Sequence, residues 1–424
     1  MTKIHAERTI HLRRRMTALV LLFCILLGAV CARAEGAEDI TAQVKVRSES
    51  GKKLRRDALD GQWKTYQTVV RNGSIILDAG STEIGGILLQ FYDRATATRV
   101  DAETASGWVT VDEVGKHLTE WCPMPAGTKR VRLANISEAR MFLAEVTVYG
   151  TGPAPADAAR WEDLDKADLL LAVCHPDDEL LWFGGLLPVY AGERGLRVQV
   201  VYAVPSTPER RLELLGGFWH CGVTAYPVFC NMPDVRSKTL KAAYSNWNKN
   251  RLQERLTGFI RRFRPDVVVT QDFGGEYGHG AHRALADSVR AAVKMAPDSS
   301  KHAESARMWG TWEVKKFYVH LYEERQIRLD WHQPLARFDG RDGFTVAEEA
   351  LNYHVSQVSN GWAIEEGGSC DNTLFGLYAT TVGEDILGGD LMENIIPEPA
   401  GEEEWIDLDE ENPTGGDESA PDAR

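Results

Sequence analysis

The amino-acid sequence predicts an α/β domain on a Rossmann-like parallel sheet, preceded by an all-β sandwich, and three observations carry that prediction. Beyond about residue 165, "ADLLLAVC", "LRVQVVYAV", "AYPVFC" and "DVVVTQD" are near-continuous apolar runs, the composition of parallel strands buried on both faces. Helical stretches lie between them, including "ERRLELLGGFWHCG" and "NWNKNRLQERLTGFIRRF". Such alternation implies a ligand site at the carboxyl ends of the strands. From about residue 40 to 150 the rhythm changes to short, partly alternating runs: "GSIILDAG", "IGGILLQFYD", "GWVTV", "KRVRLAN" and "LAEVTVYG". Gly, Asp, Asn and Ser clusters separate them and no helical period intervenes, which favours an antiparallel sandwich.

A chain of 424 residues is too long for one ordinary core, so two domains with tails are expected. Residues 1–34 read as a signal peptide: Arg13, Arg14 and Arg15 precede the apolar run "MTALVLLFCILLGAVCA", which ends in the small-x-small pattern Ala32-Arg33-Ala34. The other reading is an uncleaved anchor, for which the run is short. Cleavage would remove six basic residues and one acidic residue, taking the net charge from −14 to −19. That surface argues against nucleic acid or anionic membrane as a partner. A secreted or cell-surface location follows, with no stable membrane insertion after cleavage.

Five cysteines would remain, Cys122, Cys174, Cys221, Cys230 and Cys370. An odd number leaves at least one unpaired, and Cys174, at the end of an apolar strand, reads as a buried thiol. Cys221 and Cys230 are candidates for a disulfide. Residues 151–165 are rich in Pro and small residues and read as a linker. Residues 397–424 read as an acidic disordered tail, with a docking segment around Trp405 and Ile406 as the alternative.

The chemistry concentrates where two strands end. The first gives His175-Pro176-Asp177-Asp178; the fourth ends at Asp272 and gives "FGGEYGHGAH", with Tyr277, His279 and His282. If these strands are parallel, both turns leave one edge of the sheet and their side chains converge. Two imidazoles and a carboxylate form a common catalytic zinc set, because three protein ligands leave a fourth position for water. Adjacent aspartates in a turn point different ways, so one can bind metal while the other handles a proton. Glu179 reads as the cap or start of a helix, or as a group at the metal; Trp182 and Phe183 as core, or as a sugar platform; and His320 as a strand residue, or as part of the site. Glu276 contacts substrate or closes its turn, and His354 is a buried polar contact or a group behind the site.

"HPDDE", Arg210 and Glu213 with "CGV" following, "RPDVVVTQD" and "GEYGHGAH" resemble the PIG-L/LmbE family of zinc-dependent de-N-acetylases. "WEVKKFYVHLY" and "HVSQ" (354–357) fit that family's later segments, so the resemblance covers about residues 165–395, within an expected catalytic domain of 166–396. It implies Zn2+ as cofactor, with His175, Asp178 and His282 as its ligands and Asp177 as general base. His279 matches a histidine that assists the oxyanion and leaving group, and Tyr277 a tyrosine that polarises the carbonyl. Arg210, beside Arg211, matches an arginine that contacts substrate in some members. Ala281 stands where many members carry an acid between the two histidines, one that orients or tunes the first.

The segment 40–150 resembles the discoidin, or coagulation-factor type C, family of jelly-roll carbohydrate- and lipid-binding domains. Leu59-Asp60-Gly61 before Trp63, "IILDAG", "KRVRLAN" and "LAEVTVYG" carry that resemblance, without the cysteines that often tie that family's ends together. It implies a glycan-binding role; the other reading is a sandwich that only packs against its neighbour.

Zinc lowers the pKa of its bound water to about 7. Asp177 would take that water's proton, Tyr277 and His279 would assist the oxyanion, and protonated His279 would donate to the departing amine. The expected function is an exported zinc amidohydrolase acting on N-acetylated sugars or glycans of the N-acetylglucosamine type. A glycan-binding protein with an inactive hydrolase-like domain, and a zinc amidase acting on a non-sugar amide, are the other readings.

Overall fold

The computed structural model describes residues 36–62, 64–155 and 158–396; the expected signal peptide and acidic tail lie outside them. The N-terminal strands are β1 (Lys45–Ser48), β2 (Gln67–Val69), β3 (Ser74–Asp78), β4 (Gly86–Phe91), β5 (Thr98–Thr104), β6 (Gly107–Val114), β7 (Thr119–Pro123), β8 (Arg130–Asn135) and β9 (Met141–Tyr149). They form two antiparallel sheets, ordered β1-β3-β8-β5-β6 and β2-β9-β4-β7. The period of two is visible in β8, where Val131, Leu133 and Asn135 turn inward while the residues between them stay half-exposed. Inward residues of both sheets, among them Val46, Leu77 and Leu133 from one and Ile87, Leu89 and Val146 from the other, share one core.

The polar strand β5 has no apolar signature in the sequence. Its buried Asp101 is held by Arg132 at 2.7 Å and Arg99 at 3.1 Å, so an ion-pair cluster covers the outer face of the strand, opposite the inward Val100 and Ala102.

The second part contains β10 (Leu169–Val173), β11 (Val198–Tyr202), β12 (Val228–Phe229), β13 (Val267–Thr270), β14 (Lys316–His320), β15 (Gln326–Arg328) and β16 (Leu374–Thr380). They make one sheet in the order β12-β11-β10-β13-β14-β16-β15. The first five run parallel. The expectation of a purely parallel sheet needs correction at one edge, because β16 pairs antiparallel with both β14 and β15. There Gly376 lets the Tyr322 backbone approach: a Cβ would lie 2.2 Å from its carbonyl oxygen.

Helices cover the sheet: α1 (Asp178–Leu181), α2 (Pro208–His220), α3 (Leu240–Asn246), α4 (Lys249–Phe263), α5 (Gly280–Met295), α6 (Ala303–Trp309), α7 (Gly343–Leu351) and α8 (Val355–Val358). The chain order reverses between β10 and β13, so the crevice at their carboxyl ends is the switch point where open α/β sheets bind ligands.

The two parts touch directly. Leu215 of α2 lies in the sandwich core cluster. The Leu118 amide donates to Tyr226 Oη at 3.1 Å, and Trp161 Nε1, in the expected linker, donates to Thr119 Oγ1 at 2.9 Å. All five cysteines among the described residues are free, Cys174 fully buried as expected; the candidate Cys221–Cys230 disulfide is not formed, each thiol being buried in its own packing. No helix among the described residues is long and apolar enough to cross a membrane.

Arg261 of α4 anchors the segment that follows α5. Its guanidinium is fully buried and donates to the carbonyls of Met295, Ala296, Asp298 and His302 and to Ser305 Oγ. Arg261→Ala would remove five hydrogen bonds and leave a cavity, while each of the four carbonyls keeps a backbone donor. We expect a loss of about 2–4 kcal/mol in chemical denaturation, whereas a loss under 1 kcal/mol would mean that the backbone hydrogen bonds hold the segment without Arg261.

Candidate metal and catalytic site

Strand β10 runs into Cys174 and His175, and the chain then turns sharply at Asp177, whose φ is 128°. A non-glycine residue there is strained, and such strain persists only where surrounding contacts hold it. Two contacts do so: the Asp177 amide donates to Glu179 Oε2 at 2.9 Å, and the His175 amide donates to Asp178 Oδ2 at 2.7 Å. Trp182 Nε1 donates to Asp178 Oδ1 at 2.8 Å. Both oxygens of Asp178 are therefore fixed before any ligand arrives.

From the neighbouring strand β13 the chain passes through Asp272 and Glu276 into α5. Gly280, the first residue of that helix, has no room for a side chain, since a Cβ would lie 2.4 Å from Ser237 Oγ and 2.5 Å from the Thr239 carbonyl. The helix start is thereby pressed against the loop beneath it, and His282 points back into the switch point. Its Nδ1 donates to Glu276 Oε2 at 2.7 Å, with both side chains fully buried. This leaves the Nε2 lone pair facing the site.

Three atoms meet there. His282 Nε2 and His175 Nδ1 are 3.3 Å apart, His175 Nδ1 and Asp178 Oδ2 are 3.4 Å apart, and His282 Nε2 and Asp178 Oδ2 are 3.5 Å apart. Ligands about 2.0–2.1 Å from a tetrahedral zinc stand about 3.3–3.4 Å from one another, so the triangle fits that ion. Cys174 belongs to the same cluster, but its Sγ is 3.7 Å from the other ring nitrogen, Nε2 of His175.

Asp177 does not join the triangle. Arg210, from the first turn of α2, reaches Asp177 Oδ1 at 2.8 Å and also donates to the Pro176 carbonyl. Gln357 of α8, with its amide turned to suit its neighbours, donates to Asp177 Oδ2 at 3.3 Å and accepts from Arg210 Nε at 3.3 Å. Burial, and next the charge of Asp178, push the Asp177 carboxyl well above its ordinary range, with Arg210 opposing. Asp178 is buried too, yet facing His282 and His175 hold it below that range.

His279 stands beside the triangle, its ring centre 4.9 Å from that of His282 and 5.3 Å from that of His175. Its Nδ1 is buried without a hydrogen-bond partner. Ala281, fully buried on α5, supplies no carboxylate. Burial, followed by the charges of His282 and His175, lowers the His279 pKa to about 4, and a dication at the triangle would push the same way. Tyr277, 53% exposed, forms an aromatic wall with Trp182 and Trp362, ring centres 5.5–5.9 Å apart. Asp177, Arg210, Asp234, Arg236 and this wall enclose a cavity of about 430 Å³.

The geometry thus gathers His175, Asp178 and His282 at one point and sets Asp177, Arg210, His279 and Tyr277 around it. It also separates the two neighbouring arginines, because Arg211 leaves the site and donates to the Asp93 carbonyl of the sandwich at 2.8 Å. Glu276 neither lines the cavity nor merely closes a turn. It also accepts from the Asp272 amide at 2.8 Å and lies 3.3 Å from His320 Nδ1, so it orients His282 from behind. His354 stands 3.2 Å from Glu179 Oε1 with both side chains buried, which makes it a support for the Asp177 turn. Trp182 was expected as core; it is largely buried, and it also lines the cavity and grips Asp178. Asp234, Arg236 and Trp362 carried no motif and are found only through the fold.

Glu276→Gln removes the carboxylate behind His282. Zinc affinity should fall about 10–100-fold, read by competition with a chelator; an unchanged affinity would return Glu276 to a turn-closing role. The loop bearing Trp362 is tied down by His332, which lies 2.8 Å from Glu366 and 2.9 Å from Asp342. Those two hydrogen bonds raise its pKa from 6.5 to about 9. A raised value means that the contribution to stability is complete below about 6.5 and is lost as pH climbs through about 9. The melting temperature of the protein should therefore fall relative to His332→Gln between those values, and parallel curves would contradict the assignment.

Residues 170–293 match the family model described as PIG-L: GlcNAc-PI de-N-acetylase. A 1D-myo-inositol 2-acetamido-2-deoxy-alpha-D-glucopyranoside deacetylase from Kineococcus radiotolerans is 30% identical over 216 residues, 41% of this chain and 57% of its own length. The protein of the same description from Rhodococcus jostii is 29% identical over 244 residues, 46% of this chain and 83% of its own. N,N'-diacetylchitobiose deacetylase from Pyrococcus horikoshii aligns in space at 18% identity and a TM-score of 0.36, over 45% of this chain and 71% of its own; that overlap carries no argument about function. The matched segment carries both strand ends, the candidate metal triangle, Asp177, Arg210, Tyr277 and His279, while Gln357 and Trp362 lie beyond it.

Proposed function

We propose that the chain is an exported zinc-dependent hydrolase that removes N-acetyl groups from N-acetylglucosamine-type amino sugars or glycans. The triangle of His175 Nδ1, Asp178 Oδ2 and His282 Nε2, with edges of 3.3–3.5 Å and a separate carboxylate beside it, is the observation that carries this reading. The PIG-L match over residues 170–293 and the two deacetylase relatives support it. Export rests on the pattern of residues 1–34.

Zinc, when bound by the triangle, supplies a water activated near neutral pH. Asp177, buried and kept out of the triangle by Arg210 and Gln357, would accept the proton of a water attacking the acetyl carbonyl carbon. Tyr277 and His279 flank the position of the developing oxyanion. His279 is expected from the sequence as a protonated acid, but burial and the neighbouring imidazoles lower its pKa to about 4, so its neutral N–H serves the oxyanion as a donor. The proton held by Asp177 then passes to the amide nitrogen, the C–N bond breaks, and acetate and a free amine leave. Tyr277, Trp182 and Trp362 give the cavity an apolar wall suited to the C–H face of a pyranose, and Asp234 and Arg236 offer polar contacts to its hydroxyls.

The unpartnered Nδ1 of His279 is the one observation favouring the second reading, a glycan-binding protein without turnover. Acetate release from N-acetylglucosamine oligomers by the zinc-loaded protein separates the two. Asp177→Ala should lower kcat by about 10²–10⁴ while zinc still binds stoichiometrically. Sugar binding with no acetate from the parent protein would instead establish the second reading.

A further inference from the structure

His320 closes β14, is fully buried, and takes no part in the proposed chemistry. Its ring is nonetheless held on three sides. The ring centres of Phe183 and Phe375 lie 5.6 and 5.5 Å from its own, and those two are 5.9 Å apart, so the three rings form a closed cluster. Both phenylalanines are fully buried. Nε2 lies 3.1 Å from the Asp371 carbonyl, which only accepts, so this nitrogen donates. Nδ1 lies 3.3 Å from Glu276 Oε1, and a carboxylate likewise only accepts. A hydrogen on each ring nitrogen meets both partners.

Each partner leads to a different part of the domain. Glu276 accepts from His282 Nδ1 through Oε2 at 2.7 Å, and its Oε1 also accepts from the Asp272 amide at 2.8 Å. The carboxylate is thus clamped between His282 and His320. Asp371, buried in the turn before β16, is itself fixed, because Arg328 of β15 donates to its Oδ2 at 3.0 Å and the Thr373 amide to its Oδ1 at 3.0 Å. Phe183 follows α1, the helix that begins at Asp178. His320 therefore joins the two segments that carry the triangle to β14 and β16, the strands beyond them in the sheet. A site of this kind works only when its groups are held to about 10–20° of the productive geometry. The Asp272 amide alone leaves the Glu276 carboxylate free to turn, and a second donor on the same oxygen, from a ring packed on both phenylalanines, sets its plane.

We propose that His320 is a positioning residue of the metal centre, which sets the plane of Glu276 and through it the ring of His282, from a mount built on β14 and β16. The inference rests on the reading of His175, Asp178 and His282 as zinc ligands. It gives a role to a histidine that touches neither the ion nor the cavity.

The test measures zinc affinity by competition with a chelator, and melting of the metal-free protein, in the parent, His320→Asn and His320→Gln. Asparagine brings an amide N–H near the place of Nδ1 and still donates to Glu276, whereas glutamine reaches the place of Nε2 and donates to Asp371 alone. His320→Gln should lower zinc affinity about tenfold, the lower end for a group behind a ligand. His320→Asn should keep the affinity of the parent, with both metal-free variants melting together. In the Glu276→Gln background, His320→Gln should change nothing further, because both act through one carboxylate. His320→Leu, which lacks both hydrogen bonds, stands in if His320→Gln does not fold. Equal affinity in all three proteins, equal losses in both variants, or a loss that adds to that of Glu276→Gln overturns the inference, while zinc held by the parent keeps the metal reading. A parent that binds no zinc overturns the metal reading and this inference with it.

Discussion

The α/β part of the chain answers to one constraint: two imidazole nitrogens and a carboxylate oxygen stand within 3.5 Å of one another where adjacent parallel strands end. The sheet order brings β10 and β13 side by side, so the two turns start about one strand spacing apart. The remaining precision comes from groups behind the ligands. Trp182 and the His175 amide fix Asp178, Glu276 fixes His282, and the strained φ of Asp177 moves the second aspartate aside. Orientation from behind is the usual means by which metal sites gain their affinity.

The charges explain why such a site calls for a cation. Asp177, Asp178, Glu179 and Glu276 all have buried carboxylates within a short radius, and Arg210 contacts Asp177 alone among them. Burying ionised carboxylates is costly unless each is paired. The histidines offset part of that cost, and a dication at the triangle would offset much of the rest. Metal binding and the stability of this corner are thereby linked. Glu179 illustrates the economy of the arrangement, since its carboxylate supports the Asp177 turn while facing His354.

Much of this was legible in the sequence, for a physical reason. Strands buried on both faces write themselves as apolar runs, and a histidine with adjacent acids at the end of such a run has few structural uses. That is why His175, Asp177, Asp178, His279 and His282 stood out. Residues whose role depends on long-range register did not. Glu276 was legible only as a substrate contact or a turn residue because nothing local ties it to His282 and His320, and Trp182 read as core before platform because its indole edge reaches Asp178 only after the chain has turned. Gln357 lay in the motif "HVSQ", yet its contact with Asp177 spans the whole domain. The antiparallel β16 was hidden by the glycine in "TLFGLYAT", and β5 by the ion pairs around Asp101. Arg210 and Arg211 are indistinguishable as letters; the docking of the sandwich separates them.

Anomalous diffraction at the zinc edge, from crystals of the zinc-loaded protein, tests the central claim most directly. A single peak about 2.0–2.1 Å from each of His175 Nδ1, Asp178 Oδ2 and His282 Nε2 is the predicted result. A peak bound through Cys174, or no peak at the triangle while zinc occupies another place, would contradict it.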